Sequence, residues 1–311
     1  ATHLLPQFLR PRNFDCDLAL DGIRQMLWGF FKKVVVADNC ALFVNGVFEN
    51  YQTLDGSTLF LGAFFFTIQI YGDFSGYSDI AIGCARLFGI DLMQNFKYPY
   101  FSRDIAEFWR RWHISLTTWF RDYIYIPLGG SRAGKWKSFR NTLVIFLVSG
   151  FWHGANWTFV AWGAYHALLF LPLLLLGQRR YRDSVAENSF LPSVKELTQM
   201  GVTFLLVLLG WILFRSEDIS QAAVYLERMF NASLFSAPQL VGLGFGQLLL
   251  KKCFFFTALM FIVEWIGRKQ AHGLMIEDLS LPVRYVIYTV LLIIIYGFDA
   301  SNPQGFIYFQ F

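Results

Sequence analysis

Charge is what this sequence has least of. Asp, Glu, Lys and Arg supply 15% of its 311 residues, against about 25% in soluble domains, while 55% are hydrophobic and 19% aromatic. Mean hydropathy is +0.42. That balance excludes an ordinary soluble domain, and the net charge of +4 is too small to point to nucleic acid. Cysteine is scarce: Cys16, Cys40, Cys84 and Cys253 are scattered without a C-x-x-C pair, which argues against a disulfide framework or a cysteine zinc site. Strand-like alternation is missing, which argues against a membrane barrel. No internal repeat or low-complexity tract divides the chain, so residues 1–311 read as a single membrane domain. Neither a signal peptide nor an initiator Met is present, and we expect a fragment that lacks N-terminal spans.

The longest absence of charge runs from Asn141 to Gln178, 38 residues without Asp, Glu, Lys or Arg. One straight helix of that length would measure roughly 57 Å, against a hydrocarbon core of about 30 Å, so it is expected to break. Ser149-Gly150-Phe151-Trp152-His153-Gly154-Ala155-Asn156-Trp157 offers the place. It sets a titratable imidazole between apolar runs, and ionisable groups at membrane depth point to function. Just before it, Arg103 to Arg140 carries eight basic residues against three acids, which the positive-inside tendency assigns to the cytoplasmic face. The whole chain reads as an all-α polytopic membrane bundle.

Residues 1–22 form a polar connecting segment. An apolar helix from about Ile23 to Phe48 is interrupted by Lys32-Lys33, a pair expected to snorkel to an interface. Thr58 to Ile70 begins a span that passes into Tyr71-Gly72-Asp73-Phe74-Ser75-Gly76-Tyr77-Ser78-Asp79 and then an apolar run to Ile90. Asp73 and Asp79 either tie broken helices through backbone N–H groups and nearby arginines or take part in substrate handling. A cation site is the least supported reading, because two carboxylates are too few ligands.

Ser102 is placed as the cap of a helix with Asp104 in its first turn. Ile105, Phe108, Trp109, Trp112, Leu116, Trp119, Phe120 and Tyr123 follow the 3.6 period, and Glu107 is spaced to pair with Arg110 and Arg111. A cationic face opposite a Trp-rich one suits a helix at the membrane surface. His113 lies at the border of the apolar stripe, where amphipathic packing and function are both open. Pro127-Leu128-Gly129-Gly130-Ser131-Arg132 is a loop without Walker spacing. His166 reads as a hydrogen-bonded histidine tying helices together. Further spans are expected over Met200–Phe214, from Lys251-Lys252 to about Ile266, and over Val283–Phe298, with an amphipathic piece over Asp218–Phe230 and an aromatic tail from Gly305 to Phe311.

Taken by themselves, His153 at a helix break, His113 and a cationic rim outline a site. A neutral imidazole is a good general base, and no nucleophile elbow accompanies it, which favours direct transfer to a hydroxyl. The cationic rim suits an anionic carrier such as a phosphopantetheine donor.

Phe108-Trp109-Arg110-Arg111-Trp112-His113-Ile114-Ser115, then Arg121-Asp122-Tyr123-Ile124-Tyr125-Ile126-Pro127-Leu128-Gly129-Gly130-Ser131-Arg132, and Trp152-His153-Gly154-Ala155 resemble the membrane-bound O-acyltransferase family. Within it they look most like the bacterial alginate O-acetyltransferase branch. The Tyr71–Asp79 stretch and the closing Phe306–Phe311 are similar to that branch too, and the match runs in order from about Phe8 onward. The resemblance implies membrane, surface and re-entrant helices around a central tunnel, without the family's N-terminal helices. It implies acyl transfer from a cytoplasmic thioester, acetyl-CoA or an acyl-carrier phosphopantetheine, to hydroxyls of an extracytoplasmic polysaccharide such as alginate. No bound cofactor or metal is implied. The family's invariant histidine falls on His153 and its second on His113; Trp152, Asn156, Arg110, Arg111, Trp112, Asp73 and Asp79 are the candidate substrate-binding or supporting residues. A multi-pass location in the cell inner membrane and a periplasmic or extracellular acetyltransferase partner are further expectations. D-alanyl transfer and peptidoglycan O-acylation are alternatives within the family.

Two readings from other classes stand beside this one. Haem held by histidines at two depths would need matching histidines on a second helix, and His3, His113 and His272 do not pair that way. A proton-coupled transporter using Asp73, Asp79 and His153 would be expected to show a repeated half, and none is visible.

Overall fold

The computed structural model describes residues 4–132, 134–176, 181, 183–240, 246–298 and 305–306. The fold is all-α: every regular element among the described residues is helical. The helices are α1 (Leu5–Phe8), α2 (Cys16–Phe30), α3 (Asp38–Glu49), α4 (Gly56–Leu87), α5 (Ile105–Arg111), α6 (Ile114–Phe120), α7 (Lys135–His153), α8 (Trp157–Leu176), α9 (Val194–Arg215), α10 (Ile219–Met229), α11 (Gln247–Ile266) and α12 (Leu281–Gly297). Two of them, α8 and α9, are long and apolar enough to cross a membrane. The chain divides into two compact units. Ala1–Asn45, Phe65–Lys97 and Gly244–Gln310 form the first; Gly46–Phe64 and Tyr98–Leu243 form the second.

In the first unit, α2 runs into a π-helical segment, Phe31–Ala37, and on into α3. Its glycines let α2 touch the backbone of α4: a Cβ on Gly83 would lie 2.3 Å from the Gly22 carbonyl oxygen, and one on Gly76 2.7 Å from that of Gly29. Small residues at such crossings are how membrane helices approach closely.

The Lys pair corrects the sequence reading. Lys32 does not snorkel; it is buried, 2.6 Å from Asp79 and 3.9 Å from Glu264. Lys33 lies 2.6 Å from Asp73 and 2.7 Å from Asp38. The Tyr71 hydroxyl is 2.9 Å from each Glu264 oxygen, and Gln25 Nε2 donates to Asp79 at 2.8 Å. Among the described residues Asp73 and Asp79 pair with lysines, and α4 runs unbroken through both. A buried charge needs a partner. Here carboxylates on a facing helix supply one, so the lysines gain more by turning inward than by reaching for an interface.

The second unit holds α5 to α10. The uncharged stretch breaks where glycine spacing suggests, between His153 at the end of α7 and Trp157 at the start of α8. The two helices lie against each other as a hairpin at backbone distance: a Cβ on Gly150 would sit 2.3 Å from the Phe159 carbonyl oxygen, and one on Gly163 2.2 Å from that of Phe146. Helix α9 opens with a reciprocal Ser193–Glu196 capping box, and α10 with Asp218 capping Gln221 N at 2.8 Å. Spans expected from Met200, Lys251 and Val283 fall within α9, α11 and α12. Residues 307–311 of the aromatic tail lie outside the described residues.

Candidate active site

The surface helix foreseen from Ser102 onward is two short helices. Asp104, not Ser102, caps α5, accepting from Glu107 N at 2.6 Å. Arg103 is buried against Glu107, with Nε–Oε2 and Nη2–Oε1 both 3.1 Å, and donates from Nη2 to the Asp183 carbonyl at 2.8 Å. Glu107 thus binds Arg103 and, at 2.7 Å, Arg111, while Arg110 is exposed and donates to the Tyr181 carbonyl at 2.6 Å. The expected Glu107–Arg110 pair gives way because Arg103 sits within reach of both carboxylate oxygens and fills the site as a fork.

The periodic stripe is interrupted between these helices. Trp112 is extended, and His113 takes a left-handed conformation at φ 44°, ψ 56°. A non-glycine residue there is uncommon and strained. Trp112 is buried, stacked on Phe108 with ring centroids at 5.5 Å and tilted on Trp211 at 5.0 Å; it anchors the turn. The turn aims His113 at Trp152, the ring centroids 6.4 Å apart at 71°, and Ser115 Oγ lies 3.5 Å from His113 Nδ1. Burial pushes the His113 imidazole below the ordinary histidine range, so it is neutral near pH 7.

His153 ends α7 inside an aromatic box. Its ring lies 4.9 Å from Trp152, 5.4 Å from Trp162 at 88°, 5.0 Å from Phe214 at 81° and 6.2 Å from Phe159. Trp152, half exposed, touches both histidines and so links them. Asn156 ties the break to the turn between α9 and α10: Nδ2 donates to the Glu217 carbonyl at 2.7 Å and Oδ1 accepts from Thr158 N at 3.1 Å. Its role is to hold the α7–α8 turn. Gly154 belongs to the same turn, since a Cβ there would lie 2.7 Å from the Phe159 ring.

The second unit therefore brings together His113, Trp152 and His153, with Trp112, Arg110, Arg111 and Asn156 supporting the elements that carry them. Asp73 and Asp79 belong to the first unit and its lysine pairs. Trp162, Phe159, Phe214 and the left-handed turn at His113 escaped the sequence reading. Long uncharged apolar runs marked α8 and α9 as spans but said nothing of which of their faces meets His153.

The sequence profile of the membrane-bound O-acyltransferase family matches residues 23–186. The chain belongs to this family. It is 40% identical over 252 residues to the probable alginate O-acetylase of Pseudomonas putida, covering 79% of this chain and 50% of that relative. It is 38% identical over 223 residues to the peptidoglycan O-acetyltransferase of Helicobacter pylori, covering 72% and 40%. With the teichoic acid D-alanyltransferase of Bacillus subtilis it shares 28% identity over 212 residues, covering 65% and 52%. The chain spans about half the length of the curated relatives it matches.

Proposed function

We propose that this chain carries the catalytic centre of a membrane O-acyltransferase that moves an acetyl group from a thioester to hydroxyls of a polysaccharide such as alginate. The observation that carries the reading is the His153 imidazole, held at a helix end by four aromatic rings and linked through Trp152 to His113. His153 takes the proton of the acceptor hydroxyl as its oxygen attacks the thioester carbonyl. The carbon–sulfur bond breaks, the ester forms, and the thiolate recovers the proton from the imidazolium. His113 positions the donor or passes the proton on. Excluding water with aromatic walls favours the polysaccharide hydroxyl over hydrolysis.

The donor is acetyl-CoA or an acyl-carrier phosphopantetheine, a substrate and not a bound cofactor, approaching the cationic cytoplasmic segment. The protein spans the cell inner membrane several times and works with a periplasmic or extracellular acetyltransferase partner. The alginate O-acetylase relatives, at about 40% identity, favour acetyl transfer to a polysaccharide. The peptidoglycan relative at 38% identity keeps that acceptor as the second reading.

The test uses the full-length protein in its own membrane. Mild base releases ester-linked acetate from the secreted polymer, compared between wild type and His153→Ala at equal expression. Loss of the ester is expected; unchanged ester content overturns the assignment of His153.

A further inference from the structure

We propose that His166 is a positioning residue that sets the geometry of His113 against His153, an inference that rests on the acyl-transfer reading above. His166 lies in α8, has no exposed surface, and neighbours no charged group at hydrogen-bond distance among the described residues. Its Nδ1 accepts the indole N–H of Trp109 from α5 at 3.4 Å, with the two rings edge to face at 5.0 Å and 87°. That bond fixes the tautomer. With Nδ1 as acceptor, the ring proton sits on Nε2, and Nε2 has no hydrogen-bond partner among the described residues.

Room for Nε2 comes from α9. A Cβ on Gly210 would lie 2.6 Å from it, so only glycine at this position lets the imidazole sit where Trp109 reaches it. A residue needed for packing alone would be better served by an apolar side chain, which leaves no buried donor unsatisfied. The imidazole is retained at a cost, and what it supplies is a directional link between two helices.

The link leads to both candidate histidines. Trp109 stands four residues before His113 on the short helix whose left-handed exit aims that side chain. On the other side, Trp162 is one turn before His166 in α8 and packs on His166 at 5.1 Å and on His153 at 5.4 Å. Trp109 also meets Trp162 at 5.6 Å and Phe146 of α7 at 5.1 Å. Apolar faces alone slide. A hydrogen bond at the centre of the cluster fixes the register of α5 on the α7–α8 hairpin, and with it the separation of the two imidazoles.

The experiment measures base-labile acetate on the surface polymer, per unit of folded full-length protein, in cells carrying Trp109→Phe, His166→Phe, both together, or His166→Asn. Phe at 166 keeps a ring without the acceptor and Phe at 109 a ring without the donor; Asn at 166 places an amide oxygen near the Nδ1 position. Each Phe variant is expected to lower the ester roughly tenfold or more, the size of effect that small misplacements of reacting groups produce. The double variant should be no worse than either single one, as for two partners in one bond. His166→Asn should recover about half of wild-type ester or more, given its acceptor. Wild-type ester in His166→Phe, no recovery in His166→Asn, or losses that multiply in the double variant would each overturn the proposal. His153→Ala, run in parallel, separates the two claims. If that variant keeps its ester, the general-base reading fails. The melting temperatures of the same Trp109 and His166 variants then decide the positional claim: additive shifts sink it and coupled shifts uphold it.

Discussion

His113 separates what a residue does for the fold from what it does for chemistry. Its left-handed backbone costs energy in any L-residue with a Cβ, and Asn tolerates that region better than most. We expect His113→Asn to leave the melting temperature within a few degrees of wild type, a change of about 0.5 kcal/mol, while acetate ester on the polymer falls about tenfold. A collapse in folded protein would instead mean that the imidazole is a packing group. The same variant carries a pH signature. Burial holds the His113 pKa below its unfolded value, so the unfolded chain binds the extra proton first and stability falls as pH drops below about 6.5. In His113→Asn the melting temperature should fall less steeply between pH 8 and pH 5, and an identical slope would refute the assignment.

At the scale of elements, the α7–α8 hairpin depends on two glycines more than on any side-chain contact. The Cβ of alanine at 163 would fall 2.2 Å from the carbonyl oxygen of Phe146, which is backbone and cannot turn aside. Gly163→Ala should therefore part the two helices and cost about 1–3 kcal/mol, the usual range for overpacking, read as a lowered melting temperature in detergent. Because His153 closes α7 and Trp162 immediately precedes Gly163, ester formation should fall further than the loss of folded protein accounts for. Gly201 in α9 is the control, since a Cβ there meets nothing within 4 Å; Gly201→Ala should be silent or slightly stabilising.

At the scale of the molecule, buried ion pairs serve both units: Arg103 with Glu107 in the second, and Lys32 with Asp79 and Glu264 in the first. Removing one member of a buried ion pair costs about 3–5 kcal/mol, because the other charge is left unpaired. Lys32→Met strips the cation from Asp79 and Glu264 and should lower the melting temperature by many degrees. Adding Asp79→Asn removes one stranded charge and should restore part of the loss. If Lys32→Met alone is harmless, the network contributes little to stability and the buried pair needs another explanation.

The spans at α7, α8, α9, α11 and α12, the break at Gly154 and the loop at Pro127–Arg132 were legible in the sequence because they are local. Apolar period, glycine and proline, and missing charge act within a few residues of where they stand. The family motifs were legible for the same reason, and they brought His113 and His153 forward. What the sequence could not determine were choices between distant partners. Lys32 and Lys33 turn inward only because acids on α4 and α11 face them. Glu107 takes Arg103 because the turn before α5 brings it back. His113 leaves the helical stripe because Trp112 is drawn into the aromatic core. Asn156 is consumed by a carbonyl at 217, and the His153 box needs Phe214 from another helix. Most of these are settled by burial, where an unpaired polar group costs more than a local preference is worth, and burial exists only once the helices have packed.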